Sequence, residues 1–285
     1  MSDRASMLKP AGPVLAGALL AGLHEELMRL LRDLDGEDWE RPTSAGHWRV
    51  RDVVAHLLDT DLRRLSSGRD GHRPPLDRPV ESYDDLLAFL NELNADWIRA
   101  TRRVSPAVLV DVLAHVGPQS ASFLASLDPF APAALAVAWA GPEPAPNWLD
   151  VGREYTERWH HQDQIGNAVG APALAQERWL RPVVEISLHA LPFAFRDVAV
   201  DAGAAVVIEL TGEVDDVWSL VRNDADWALY TGRAPDARAR IALDALIAAR
   251  LLLHRLTPDE ARRLVTIEGD EQLGLQFLAT RAVMV

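Results

Sequence analysis

An α plus α+β protein, with a helical bundle over residues 13–172 and a smaller α+β domain over 173–285, is the fold that this sequence predicts. Two observations carry that reading. Through the first half, apolar residues recur at helical spacing between proline-rich loops. After Gly170-Ala171-Pro172 the texture changes to short alternating runs bounded by turn residues.

Leu19, Leu20, Leu23, Leu27, Leu30, Leu31 and Leu34 predict a first helix over about 13–34. A second begins near Trp48, where Val50, Val53, Val54, Leu57, Leu58, Leu62 and Leu65 share one face. The segment RDGHRPPLDRP ends it. Ser82 with Asp85 three residues on reads as a capping box for a third helix to about Thr101. Ser105-Pro106 opens a fourth, and a looser helical stretch is expected near 131–140. After the stiff connector GPEPAPN, Asn147 reads as the N-cap of a helix ending at Val169-Gly170. A helix over about 177–184 either continues through HALPFAF or breaks at Pro192. Then VVIELTG, VWSLVRN, WALYTG and RARIALD read as strands, 244–254 as a helix, Thr257-Pro258-Asp259-Glu260 as a capped helix start, LVTIEGD as a strand and EQLGLQFLAT as a last helix.

At 285 residues the chain can bury two cores. It has no cysteine, so no protein thiol can act as nucleophile or metal ligand; any thiol must arrive as a small molecule. A formal charge of −13 argues against nucleic acid, whose phosphates call for clustered Lys and Arg. Arg4 and Lys9 before the apolar run 14–23 imitate a secretory leader, but the leucine stripe continues through HEELMRLLRDLD. That run therefore reads as the first bundle helix. No other run approaches a membrane span, and a cytoplasmic monomer or homodimer is expected.

The segment REYTERWHHQDQI carries the chemistry. Glu157 and His161 stand four apart on a helix, so their side chains project from one face about 6 Å apart, as two ligands of one ion require. They lie off the main stripe of Val151, Tyr155, Trp159 and Val169, with Ile165 and Ala168. His56 holds a similar place off the stripe of the second helix. A third ligand from another helix would complete a His-Glu-His face with open positions, the pattern of catalytic rather than structural zinc. The bland alternative stands beside it, since a Glu–His pair at this spacing is commonly solvated surface. Asp52, Asp59 and Asp163 read either as partners orienting a histidine or as solvated helix charges, and His160 as a supporting donor or an exposed ring. Trp48 and Trp159 read as core or pocket wall.

Two stretches resemble the mycothiol-dependent maleylpyruvate isomerase family, a branch of the DinB/YfiT-like metal-binding four-helix bundles. The first is RPTSAGHWRVRDVVAHLLDTDLRRLSSGRDGH, with its Trp-x-Val-Arg-Asp-x-x-x-His string, completed by Glu-x-x-x-His in ERWHHQDQI. The second is similar to that family's sterol-carrier-like domain, in ELTGEVDDVWSLV, the stretch around LLLHRLTPDEA, and VTIEGDEQLG. The resemblance implies a DinB-like four-helix bundle in which His56, Glu157 and His161 hold a divalent metal, zinc ahead of nickel or iron. It implies a low-molecular-weight thiol, mycothiol, as co-substrate. It also implies that Arg250 or Arg255 reaches an anionic substrate, for which a guanidinium fork is the natural carboxylate clamp. An ordinary surface arginine is the alternative for each.

Three functions fit these residues. The first, adopted here, is a metal- and thiol-dependent transferase or isomerase of a small electrophile. The second is a small-ligand-binding module with a vestigial metal site. The third is a metal-dependent hydrolase using water. The proline-rich region 70–145 is expected to shape the substrate cleft.

Overall fold

The computed structural model describes residues 8–283 apart from 77, 135, 142 and 143. Arg4 of the leader-like stretch, and Pro142 and Glu143 of the GPEPAPN connector, lie outside the described residues.

After a short strand β1 (Lys9–Pro10) and a 3₁₀ turn (Ala16–Leu19) come α1 (Leu20–Arg32), α2 (Val50–Arg63), α3 (Tyr83–Thr101), α4 (Pro106–Ala125) and α5 (Asn147–Val169). Helices α1, α2, α4 and α5 pack on one another, and α3 leans on the outer side of α2. Leu27, Val53, Val54, Leu57, Leu113 and Ile165 fill the space between them. Close packing of α1 on α4 depends on Gly117, because a Cβ there would run into the His24 ring. By length and composition α4 is, among the described residues, the one helix able to cross a membrane. Here it lies against α1 and α2 through Leu109, Leu113, Val116, Ser120 and Leu124.

The second half holds α6 (Glu177–Leu188), a single turn α7 (Leu191–Ala194), β2 (Ala205–Thr211), β3 (Asp216–Arg222), β4 (Trp227–Thr231), β5 (Ala239–Asp244), α8 (Ala245–Leu252), α9 (Pro258–Arg262), β6 (Thr266–Gly269) and α10 (Glu271–Ala279). The mixed sheet runs β1-β4-β3-β2-β5-β6, with β2 and β5 parallel and the other pairs antiparallel. Helix α6 packs on α5 at one side and α8 at the other. One apolar core therefore runs without interruption from Leu20, Tyr155 and Trp159 through Leu180 and Val183 to Val206, Ile208 and Leu220.

The capping boxes at Ser82/Asp85 and Thr257/Glu260 form as expected, and Gly170 ends α5 at φ +75°. Four details differ. No helix forms among the described residues of 131–140, which leave out Leu135: Pro129, Pro132, Pro144 and Pro146 lack donors, and the stretch is tied back by Ala133 N–H to the Ala145 carbonyl at 2.8 Å. Asn147 is the first helical residue rather than the cap, and its amide donates to the Asp128 carbonyl at 2.9 Å. α2 runs on into a π-helical turn, Arg64–Arg69. Finally, Lys9–Pro10 adds a strand to the β4 edge, too short to leave a periodic signal.

Candidate metal centre

Helix α5 is the axis of the site. It is enclosed nearly all round, so its polar residues are buried and have to be satisfied there. Glu157 and His161, one turn apart, approach to 3.7 Å between Oε2 and Nε2. From α2, the His56 ring stands 4.9 Å from that of His161, edge to face, and 5.0 Å from the Trp48 ring. The structure thus brings the two helices together where the three sequence-derived ligands sit. Metal–nitrogen bonds of about 2.0–2.1 Å put two imidazoles of one tetrahedral ion roughly 5 Å apart, centre to centre. The His56–His161 spacing matches that. Nevertheless, among the described residues no three His, Asp or Glu side chains form a ready-made metal cluster. The donors are adjacent in pairs, and closing the trio on one ion requires side-chain adjustment.

Electrostatics suit a cation. Burial, reinforced by His161 and Arg63, holds His56 well below the ordinary imidazole range, against Glu154 and the Asn94 amide. Burial brings His161 down to about 4, against its hydrogen bond with Gln164. Both rings are therefore neutral at pH 7, as a metal ligand must be. Burial pushes the Glu157 carboxyl up to about 7, against Arg153 and Arg158. His56 Nδ1 is buried without a hydrogen-bond partner. Two neutral imidazoles, a carboxyl poised to ionise and an unsatisfied ring nitrogen make a donor set that fits a divalent ion in kind.

Gln164 sits beneath the pair. Its Oε1 lies 2.8 Å from His161 Nδ1 and its Nε2 lies 3.0 Å from His160 Nε2. His160 is buried, its ring 5.3 Å from that of His161, and its Nδ1 has no partner. Burial, then the charges of His161, Arg255 and His254, hold it well below the usual imidazole range. It therefore supports the site and is not an exposed ring.

The two arginines are not surface residues. Arg250 grips buried Asp163 through both fork atoms, at 3.1 Å and 2.8 Å. Arg255 comes within 3.8 Å of the same carboxylate and donates to the Ser44 hydroxyl. Its side chain is 7% exposed, and its Nε has no acceptor. His254, held at φ +58°, turns the chain so that Arg255 points back to the helical half. Arg250 is thus engaged by the protein itself, while Arg255 keeps a spare donor beside His160. Asp163 is neither solvated nor a histidine partner but the anchor of this arginine pair.

Other residues fall out differently. Asp52 accepts from Arg49 N–H and caps α2, and Asp59 pairs with Arg63 at 2.9 Å. Trp159 is core, its indole donating to the Leu174 carbonyl at 2.9 Å. Sequence reasoning missed a buried network on the neighbouring face of α5. There Arg64 holds Asp150 and Glu154, and Arg158 joins Glu154 (2.7 Å) to Asp61 on α2 (2.6 Å). Arg153 completes it. The four-residue spacing of Glu154 and Arg158 was its only trace.

The sequence profile of the family described as "Mycothiol maleylpyruvate isomerase N-terminal domain" matches residues 20–166, a span that contains His56, Glu157 and His161. The chain belongs to this family. Relatives include two uncharacterized proteins from two strains of Mycobacterium tuberculosis, each 28% identical over 231 residues, 79% of this chain and 82% of the relative. The fold is also that of a mycothiol-dependent maleylpyruvate isomerase crystal structure. The likeness has a TM-score of 0.51 and 13% identity, and covers 88% of this chain and 91% of the other. Family membership thus spans the bundle, and the fold likeness extends across the sheet.

Proposed function

We propose that this chain is a metal- and thiol-dependent isomerase or transferase of a small electrophilic, anionic substrate, with mycothiol as the thiol. The observation that carries this reading is the meeting of two neutral imidazoles and a near-neutral carboxyl on α2 and α5, inside the family's matched span. The helical residues 13–172 supply the ligands His56, Glu157 and His161, with zinc the leading ion, and 173–285 supply the arginines. A bound divalent ion supplies one thing, a lowered pKa for the incoming thiol. The protein does the rest. His56 and His161 present lone pairs without first losing a proton, and Glu157 releases its proton near pH 7 when a cation approaches. Trp48 walls one side of the ring pair. The spare Nε–H of Arg255 receives the anionic end of the substrate, while Arg250 and Asp163 hold that guanidinium in place.

Binding without catalysis is favoured by a different feature. A cavity of about 470 Å³ opens between Val137, Ala140, Pro146 and Leu149 on one side and Phe193 and Trp227 on the other, walled mainly by apolar side chains. One experiment separates the readings: turnover of maleylpyruvate and related unsaturated acids by the zinc-supplemented full chain, with mycothiol, with glutathione and with no thiol. Product that requires a thiol is expected. Equal turnover without thiol to a product that has gained water makes the protein a hydrolase, thiol-free isomerisation overturns the thiol dependence, and no turnover beside saturable binding of an apolar ligand makes it a binding module.

A further inference from the structure

A carboxamide offers an acceptor and a donor side by side whatever the pH, and Gln164 spends both on neighbouring imidazoles. The two contacts are linked. With Oε1 on His161 Nδ1, that nitrogen must carry the proton, and His161 Nε2 keeps its lone pair facing Glu157. The amide N–H then donates to His160 Nε2, so His160 carries its proton on Nδ1. Turning the amide over reverses both: His161 Nε2 gains a proton, and His160 Nδ1 loses one.

Each arrangement leaves one ring N–H without an acceptor. In the reversed one it is His161 Nε2–H, whose nearest carboxylate oxygen is 3.7 Å away, too far for a hydrogen bond. In the other it is His160 Nδ1–H, in the field of Arg255, whose own Nε–H is also unsatisfied. Only that second state leaves His161 able to bind a cation, and it gathers the spare donors where an anion belongs.

We infer that Gln164 is a positioning residue that fixes both tautomers together, His161 as a lone-pair donor to the site and His160 as an Nδ1–H donor on the Arg255 side. The inference rests on His161 being a ligand, and its test separates the two claims. The full chain, labelled with ¹⁵N-histidine and metal-free, is read by ¹⁵N–¹H NMR, with His160→Gln and His161→Gln used for assignment. Protonated Nδ1 on both rings is expected, and a protonated Nε2 on His161 overturns the inference whether or not metal binds. Zinc competition then compares wild type with Gln164→Leu and Gln164→Glu. Loss of the hydrogen bond in Gln164→Leu should weaken zinc about 10–100-fold. Gln164→Glu still accepts from His161, so it should hold zinc near the wild-type level while His160 switches its proton to Nε2. Zinc bound by Gln164→Leu as tightly as by wild type overturns the positioning role. Absence of zinc binding in the wild type overturns the ligand reading alone, because the tautomers are read without metal.

Discussion

Two patches of polar residues lie along α5, and they are built to opposite rules. On one, Asp61, Asp150 and Glu154 meet Arg64, Arg153 and Arg158, three charges of each sign, and every carboxylate has a guanidinium partner at hydrogen-bond distance. Burial alone would raise the Glu154 carboxyl, yet the surrounding guanidiniums carry it well below its ordinary value. On the other, one turn along, Glu157 is pushed up to about 7 and ring nitrogens of His56 and His160 have no partner. Burial does not explain the difference, because the raised carboxyl, Glu157, is the more exposed of the two at 24% against 2% for Glu154. Charge balance does. A closed network fixes how α2 lies on α5, whereas the open one keeps ring nitrogens without a partner, as a site that takes a ligand would.

The largest effect expected from breaking this contrast is on the closed side. Arg158→Leu strands Asp61 and part of Glu154 in the interior and should cost about 3–5 kcal/mol of stability, read as a lower urea midpoint. A loss below about 1 kcal/mol would mean that the network is wetter than its geometry implies.

The open side should show itself through pH. Glu157 is raised from an unfolded value near 4.5 to about 7, so its contribution to stability is full below 4.5 and fades as pH rises through 7. His161 runs the other way: lowered to about 4, its contribution is full above 6.5 and fades as pH falls through 4. The two nearly cancel between pH 4.5 and 6.5. In metal-free protein, Glu157→Gln should therefore gain stability over wild type as pH rises across 4.5–7. The gain should reach about 2 kcal/mol, less than the full shift because the side chain is 24% exposed. A pH-independent difference in melting temperature would count against the buried-carboxyl assignment.

How much of this was legible in the sequence follows from what periodicity can register. The leucine stripe of α1, the capping boxes at Ser82 and Thr257 and the alternation in β2 to β5 each leave a local pattern, and each appeared within a few residues of its expected place. His56, Glu157 and His161 were nameable because spacing and resemblance agreed. The charged network was not, since a helical wheel assigns Glu154 and Arg158 to solvent, and only their partners on other helices explain their burial. Gln164 and Asp163 were missed or misread for the same reason. An amide bridging two imidazoles, and an aspartate clamped by an arginine 87 residues away, are tertiary facts.

On the proposed reading, α2 and α5 grip one divalent ion. Zinc titration of the full chain, prepared metal-free and without a histidine tag, beside His56→Ala and His161→Ala, tests it most directly. One ion per chain in the wild type is expected, with affinity falling more than about 100-fold in either variant, beyond what losing an outer hydrogen bond costs. A wild type that takes up no ion, or a His56→Ala protein that binds as tightly as wild type, would contradict it.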